Sequence, residues 1–71
     1  MMKFWQVLFK TATGDTVRQL ITCKNLGTVI SWVKEQETLQ EERLDGLWWY
    51  GTTTHGTDIT ITPAGIIKLE D

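Results

Sequence analysis

Cysteine, histidine and proline are scarce in this 71-residue sequence and occur once each, as Cys23, His55 and Pro63. A single cysteine cannot form an internal disulfide, and one cysteine with one histidine is too small a ligand set for a structural zinc site. The sequence therefore predicts no metal site and no cofactor. A domain of this size buries only about 60% of its unfolded surface, so association with another protein is the remaining way to add stability.

Long apolar runs are also missing, and no stretch approaches the roughly 20 residues that span a bilayer. The segment from Met1 to Trp5 lacks the apolar core and small-residue cleavage site of a signal peptide. We therefore expect a cytoplasmic protein without a membrane contact. The formal net charge of −2 lowers the expectation of non-specific nucleic-acid binding.

What the sequence does contain is typical of one folded domain. Apolar residues make up 41% and charged residues 23%, close to the averages for globular proteins. Four tryptophans are many for so short a chain. We expect residues 1–71 to form a single domain.

Two strands at the start of the chain are predicted from alternating apolar residues, over residues 3–11 and 16–23. A three-residue loop, Ala12-Thr13-Gly14, would pair Phe9 with Val17 and Trp5 with Ile21. This register keeps the apolar residues of both strands on one face, whereas a Gly14-Asp15 turn would place them opposite polar residues.

One helix is predicted next, with Asn25 as its N-cap and Thr28 as the competing cap. Leu26, Val29, Ile30 and Val33 form an apolar stripe at helical spacing, and Trp32 flanks it. The helix is expected to end before Leu44, with four acidic residues on its solvent side: Glu35, Glu37, Glu41 and Glu42.

Three further strands are expected, the first beginning at Leu47-Trp48-Trp49-Tyr50 and the others covering residues 58–62 and 66–70. Two more three-residue loops would join them, Thr54-His55-Gly56 and Pro63-Ala64-Gly65, each ending in glycine. These loops would pair Trp49 with Ile61, Gly51 with Ile59, Ile61 with Ile67 and Ile59 with Leu69.

The element order β-β-α-β-β-β predicts an α+β fold, in which one helix packs on a single antiparallel sheet. We expect the strand order 2-1-3-4-5, with a half-closed barrel as the alternative. The helix-facing core would contain the following strand residues: Trp5, Val7, Phe9, Val17, Ile21, Cys23, Trp49, Ile59, Ile61, Ile67 and Leu69.

The opposite, outer face of the sheet is predicted to be unusually apolar for a face that no helix covers. The residues expected there as a protein interface are Phe4, Leu8, Leu20, Trp48, Tyr50 and Ile66. If the third strand lies beside the first, Phe4, Leu8, Trp48 and Tyr50 become neighbours. An apolar cluster with Trp and Tyr is typical of an interaction surface. The alternative is that the sheet curls and buries Phe4 and Trp48 at an edge.

These features favour a small non-catalytic protein-interaction module, acting as a homodimer or on another protein. Small acidic domains of this kind are common among accessory and inhibitory proteins of phages and mobile elements. The alternative function is single-stranded nucleic-acid binding by the same face, with bases stacked on the aromatics and with Lys10, Arg18 and Lys68 as backbone contacts.

Two residues are candidates for reactive groups, His55 and Cys23. His55 could act as a general base oriented by Asp58, with a threonine as nucleophile, but a solvent-exposed turn histidine is the favoured interpretation. Cys23 lies at a core position of the second strand, which favours a buried, unreactive thiol. We therefore expect that the protein is not an enzyme.

Overall fold

The computed structural model describes residues 2–66, which form an α+β fold of one helix and five antiparallel strands in one open sheet. The bounds of the elements are β1 Lys3–Lys10, β2 Thr16–Cys23, α1 Leu26–Gln36, β3 Leu39–Asp45, β4 Trp48–Thr53 and β5 Asp58–Ile66. The predicted element order is confirmed, but the residues assigned to the third and later strands change.

The strand order is β2-β1-β5-β4-β3, so the predicted order 2-1-3-4-5 is wrong. The half-closed barrel is also wrong, because the sheet is open. The last strand, β5, pairs with β1 along the whole length of β1, from Lys10 opposite Asp58 to Lys3 opposite Ile66. With β5 in the centre of the sheet, β1 and β5 are each paired with a neighbouring strand on both sides. Both of these strands have a clear alternation of apolar and polar residues.

The helix is shorter than predicted, because it ends at Gln36 with Glu37 as its extended C-cap. Glu41 and Glu42 therefore lie not on the helix but on β3, an edge strand that pairs with β4. The segment Leu39–Asp45 contains four charged residues and no apolar alternation, because both of its faces are largely exposed. A strand of this kind lacks the pattern by which strands are recognised.

The predicted turn at Pro63-Ala64-Gly65 is wrong, since these residues continue β5. The register against β1 shifts there, with Pro63 opposite Trp5 and Gly65 opposite Phe4, which leaves Ala64 as the extra residue of a β-bulge. Gly65 has a φ of 151°. Proline is tolerated because the pairing of β5 with β4 ends at Ile61, so no ladder hydrogen bond is lost. The predicted fifth strand, with Ile67 and Leu69, lies outside the described residues.

The two other glycine-ended loops are confirmed, and with them the registers that they set. Phe9 pairs with Val17 and Trp5 with Ile21 in the first hairpin. Trp49 pairs with Ile61 and Gly51 with Ile59 in the second. Gly14 and Gly56 have φ values of 94° and 82°, the left-handed conformation that this loop type requires.

The core lies between α1 and the inner face of the sheet. Its buried apolar residues are Trp5, Val7, Leu26, Val29, Val33, Trp49, Ile59 and Ile61. The buried Trp5 indole donates from Nε1 to the Cys23 carbonyl at 3.3 Å, so its polar atom is paired. Val17 was expected in this core but is 54% exposed, because the helix does not cover the loop end of β2.

The predicted N-cap is confirmed. The Asn25 side chain accepts hydrogen bonds from the Thr28 backbone N–H and the Thr28 hydroxyl, both at 3.0 Å. Thr28 therefore lies inside the first turn and is not the cap. This geometry starts the helix directly after β2 and aims its apolar stripe at the inner face of the sheet.

Candidate protein interface

The outer face of the sheet, opposite the helix, is built from rows of side chains that run across the strands. One row runs from Arg18 on β2 through Leu8, Thr60 and Tyr50 to Arg43 on β3. A second row begins with Leu20, Gln6 and Thr62. In both rows the residue contributed by β5 is a threonine.

These threonines divide the apolar residues of the outer face into two groups. Phe4 and Leu8 flank Gln6, which pairs with Leu20, so these three apolar residues form one group on β1 and β2. Trp48 and Tyr50 form the other group, on β4. The expectation that Phe4 and Leu8 are direct neighbours of Trp48 and Tyr50 is wrong, because β5 lies between β1 and β4 and separates them by about 10 Å.

The β4 group is an aromatic pair with an arginine over one of its two rings. The Trp48 and Tyr50 ring centroids lie 6.4 Å apart with the rings tilted by 39°. Arg43 pairs with Tyr50 across the two strands, and its guanidinium lies 4.7 Å from the Tyr50 ring centroid. This distance is in the range of a cation–π interaction. Arg43 was not among the predicted site residues, because β3 had not been recognised as a strand.

Among the predicted interface residues, Trp48 and Leu20 are the most exposed, at 50% and 63%. Phe4, Leu8 and Tyr50 are half-buried, so each exposes a smaller fraction of its side chain than Trp48 and Leu20 do. Ile66 has its backbone in β5 opposite Lys3, and its side chain lies outside the described part of the chain.

Two exposed leucines that sequence reasoning missed lie at the hairpin that joins β3 to β4. Leu44 pairs with Trp49, so it lies on the inner face of the sheet, whereas Leu47 directly precedes Trp48 in the turn. Leu44, at the end of β3, and Leu47, in the turn to β4, are both more than half exposed. Gly46 takes a φ of 63° in this two-residue turn, which is the conformation that glycine supplies in type II′ hairpins. The signal that could have revealed this hairpin is the Asp45-Gly46 pair two residues before Trp48. We call Leu44, Leu47 and Trp48 the hairpin tip.

Among the described residues, the charges on the outer face are balanced. Of the predicted cationic contacts, Lys10 and Arg18 lie on this face and are exposed, whereas Lys68 is outside the described residues. With Arg43, they are matched by three carboxylates on the same face, from Glu41, Asp45 and Asp58. A shallow open depression of about 310 Å³ is lined by six residues of β3 and β4: Glu41, Glu42, Arg43, Tyr50, Gly51 and Thr52.

The loop that contains His55 is organised around Thr53, which is 1% exposed. The Thr53 hydroxyl accepts hydrogen bonds from the backbone N–H groups of His55 and Thr57, at 3.2 and 3.1 Å. His55 itself is exposed at the turn. Asp58, the residue considered as its orienting acid, instead accepts a hydrogen bond from the Thr52 hydroxyl at 3.3 Å. The hydrogen bonds of this segment are those of a hairpin turn.

Cys23 is a free, half-buried cysteine packed against the core at the end of β2. Its thiol donates to the Asn25 carbonyl at 3.1 Å.

Within residues 2–66 there is no group of three or more His, Cys, Asp and Glu side chains close enough to hold a metal ion. Within the same range no helix has the length and apolar character needed to cross a membrane.

Comparisons of this chain with protein-family models, with curated proteins and with solved structures gave no match.

Proposed function

We propose that the protein is a non-catalytic protein-interaction domain that binds a partner protein through the outer face of its sheet, with Trp48 as the central contact. The observation that carries this proposal is the aromatic pair on β4, with Arg43 over the Tyr50 ring. Trp48 is half exposed on a strand, and Tyr50 beside it is held by Arg43. Tryptophan, tyrosine and arginine are the residue types that most often dominate interface energetics.

The position of Trp48 on a strand favours binding for an entropic reason. A side chain that is already ordered by its neighbours loses little conformational freedom when a partner covers it. Leu47, in the turn directly before Trp48, extends the exposed apolar surface of the hairpin tip, and the depression lined in part by Tyr50 could receive one partner side chain. We therefore expect the partner to present an apolar segment with polar groups at its rim.

Single-stranded nucleic-acid binding is the competing function. A backbone-tracking groove needs an excess of positive charge, since phosphate contacts supply most of the affinity. Within residues 2–66, the outer face instead balances Lys10, Arg18 and Arg43 with an equal number of carboxylates. This balance supports a protein partner over a nucleic acid.

The test of the proposal compares two exposed apolar residues on opposite faces of the sheet. Trp48→Ser should remove partner binding, whereas Val17→Ser, on the helix side, should retain it. Both variants should keep the free energy of unfolding within about 0.5 kcal/mol of the wild type, as is usual for exposed positions. Affinity capture from an extract of the source organism would identify candidate partners, and titration calorimetry with the purified partner would then measure each variant.

The proposal is contradicted if the purified partner binds Trp48→Ser as tightly as the wild type. A titration with single-stranded oligonucleotides at low salt, followed by tryptophan fluorescence, tests the competing function. Quenching that weakens steeply with added salt would favour nucleic-acid binding and count against a protein partner.

A further inference from the structure

The two edges of the sheet differ in how they are protected against pairing with another chain. The β3 edge carries four charged residues in seven and a register shift between Leu39 and Glu41. Charges and bulges are the usual means by which edge strands avoid further pairing. The β2 edge is eight residues long, continuous in register from Thr16 to Cys23, and carries one charge, Arg18.

The hydrogen-bonding groups on the free side of β2 follow from the first hairpin. Thr11 accepts from Gly14 and donates to the Asp15 carbonyl, so it faces β2. Hydrogen-bonded and non-hydrogen-bonded pairs alternate along the antiparallel ladder. The backbone N–H and C=O groups of Val17, Gln19 and Ile21 therefore point toward β1. The backbone N–H and C=O groups that point away from β1 are those of Thr16, Arg18, Leu20 and Thr22. None of the described strands pairs with them.

From this edge we infer that a second copy of the chain docks on β2, forming an antiparallel β2–β2 pair about a two-fold axis at Gln19. In this register Arg18 pairs with Leu20 of the second copy, and Thr16 pairs with Thr22. All four outward-facing residues of each strand then form ladder hydrogen bonds. This inference concerns a different surface from the outer face proposed above to bind a partner.

The sequence of β2 is complementary to itself in this register. On the helix side, Val17 lies opposite Ile21 of the second copy, so an apolar residue that is 54% exposed in one copy gains an apolar neighbour. Gln19 lies opposite Gln19 on the axis, where two amides can bond to each other. Moving the axis to Arg18 would place two guanidinium groups opposite each other, which is unfavourable.

A single strand pair is a small interface, so the dimer should be weak. Specific interfaces of small area are typically transient, and we expect a dissociation constant on the order of 10–100 µM. Sedimentation velocity of the wild-type chain from about 1 µM to 1 mM should show monomer passing to dimer. A chain that stays monomeric throughout would overturn the inference.

The register is tested by charge substitutions at the axis. Gln19→Lys and Gln19→Glu each place like charges opposite each other, so each should weaken the homodimer at least threefold at low salt. An equimolar mixture of the two should associate more tightly than either alone, because Lys and Glu then meet across the axis. Isotope labelling of one variant lets native mass spectrometry distinguish the mixed dimer from the two homodimers.

Matched controls use the other edge and the other surface. Gln40→Lys and Gln40→Glu, at an exposed glutamine of β3, should leave the dimer unchanged, and so should Trp48→Ser. The β2 pairing would be overturned if charge substitutions at Gln19 left the dissociation constant of the dimer unchanged. It would also be overturned if substitutions at Gln40 changed that constant by the same factor. Loss of the dimer in Trp48→Ser would place the interface on the outer face instead.

Discussion

At the scale of single residues, Gly51 is the position that most constrains the core. Trp49 and Gly51 lie on the same face of β4, and the buried Trp49 indole extends over Gly51. A Cβ at position 51 would overlap the Trp49 ring. The glycine is therefore needed for the space it leaves and not for its backbone conformation, since its φ is not positive.

Replacing this glycine should destabilise the protein. For Gly51→Ala we expect a loss of about 1–3 kcal/mol in the free energy of unfolding, because the indole must move within a packed core. Gly27→Ala is the matched control, since a Cβ there would meet only Asn25 Oδ1 at 3.4 Å. In a helix the same change should add up to about 1 kcal/mol. Urea unfolding measures both, and equal effects at the two positions would contradict this account.

At the scale of elements, the two hairpins with glycine-ended loops were predictable because their information is local. In both glycine-ended loops a threonine precedes the loop and a left-handed glycine closes it, as Thr11 with Gly14 and Thr53 with Gly56. The register of each pair of strands follows from the loop length. Strand β3 was not predictable from pattern, because an exposed, charged edge strand has no buried face to impose alternation.

The β4–β5 hairpin depends on a buried hydroxyl. Thr53→Val leaves the backbone N–H groups of His55 and Thr57 without their acceptor, and we expect a loss of about 1–2 kcal/mol of stability. Thr53→Ser keeps the oxygen and should retain most of it. Thr11 accepts from the Asp15 N–H in the equivalent place, but that hydrogen bond is exposed, so Thr11→Val should cost less. Thermal and urea unfolding of the three variants provide the comparison.

An equal loss in Thr53→Val and Thr11→Val would show that burial of the hydroxyl is not what makes Thr53 important. If Thr53→Ser loses as much stability as Thr53→Val, the hydrogen bonds of the Thr53 hydroxyl are not what stabilises the hairpin.

At the scale of the whole molecule, the strand order could not be read from the sequence. It depends on which strands meet across long separations, and the local patterns of β4 and β5 are equally compatible with either as the neighbour of β1. The exposure of Leu20 and Trp48 on the outer face was predictable from the alternation along β2 and β4. The grouping of the residues on this face was not, because inserting β5 beside β1 separates Leu8 from Tyr50.

The open sheet predicts an alternating pattern of backbone protection along β2. In dilute solution the amides of Val17, Gln19 and Ile21, which face β1, should exchange slowly with solvent. The amides of Arg18 and Leu20, which face outward, should exchange quickly. Hydrogen exchange with residue-level fragmentation measures this pattern. Uniform protection along β2 at low concentration would mean that its outer edge is covered in the monomer.

The unlike edges of the sheet also determine how far self-association can proceed. Joining β2 to β2 uses the same strand of both copies, and the ends of the ten-stranded sheet that results are two β3 strands. Each of these ends carries the charges and the bulge that oppose pairing. Such an isologous contact closes on itself, so assembly stops at two chains and does not continue into a fibre.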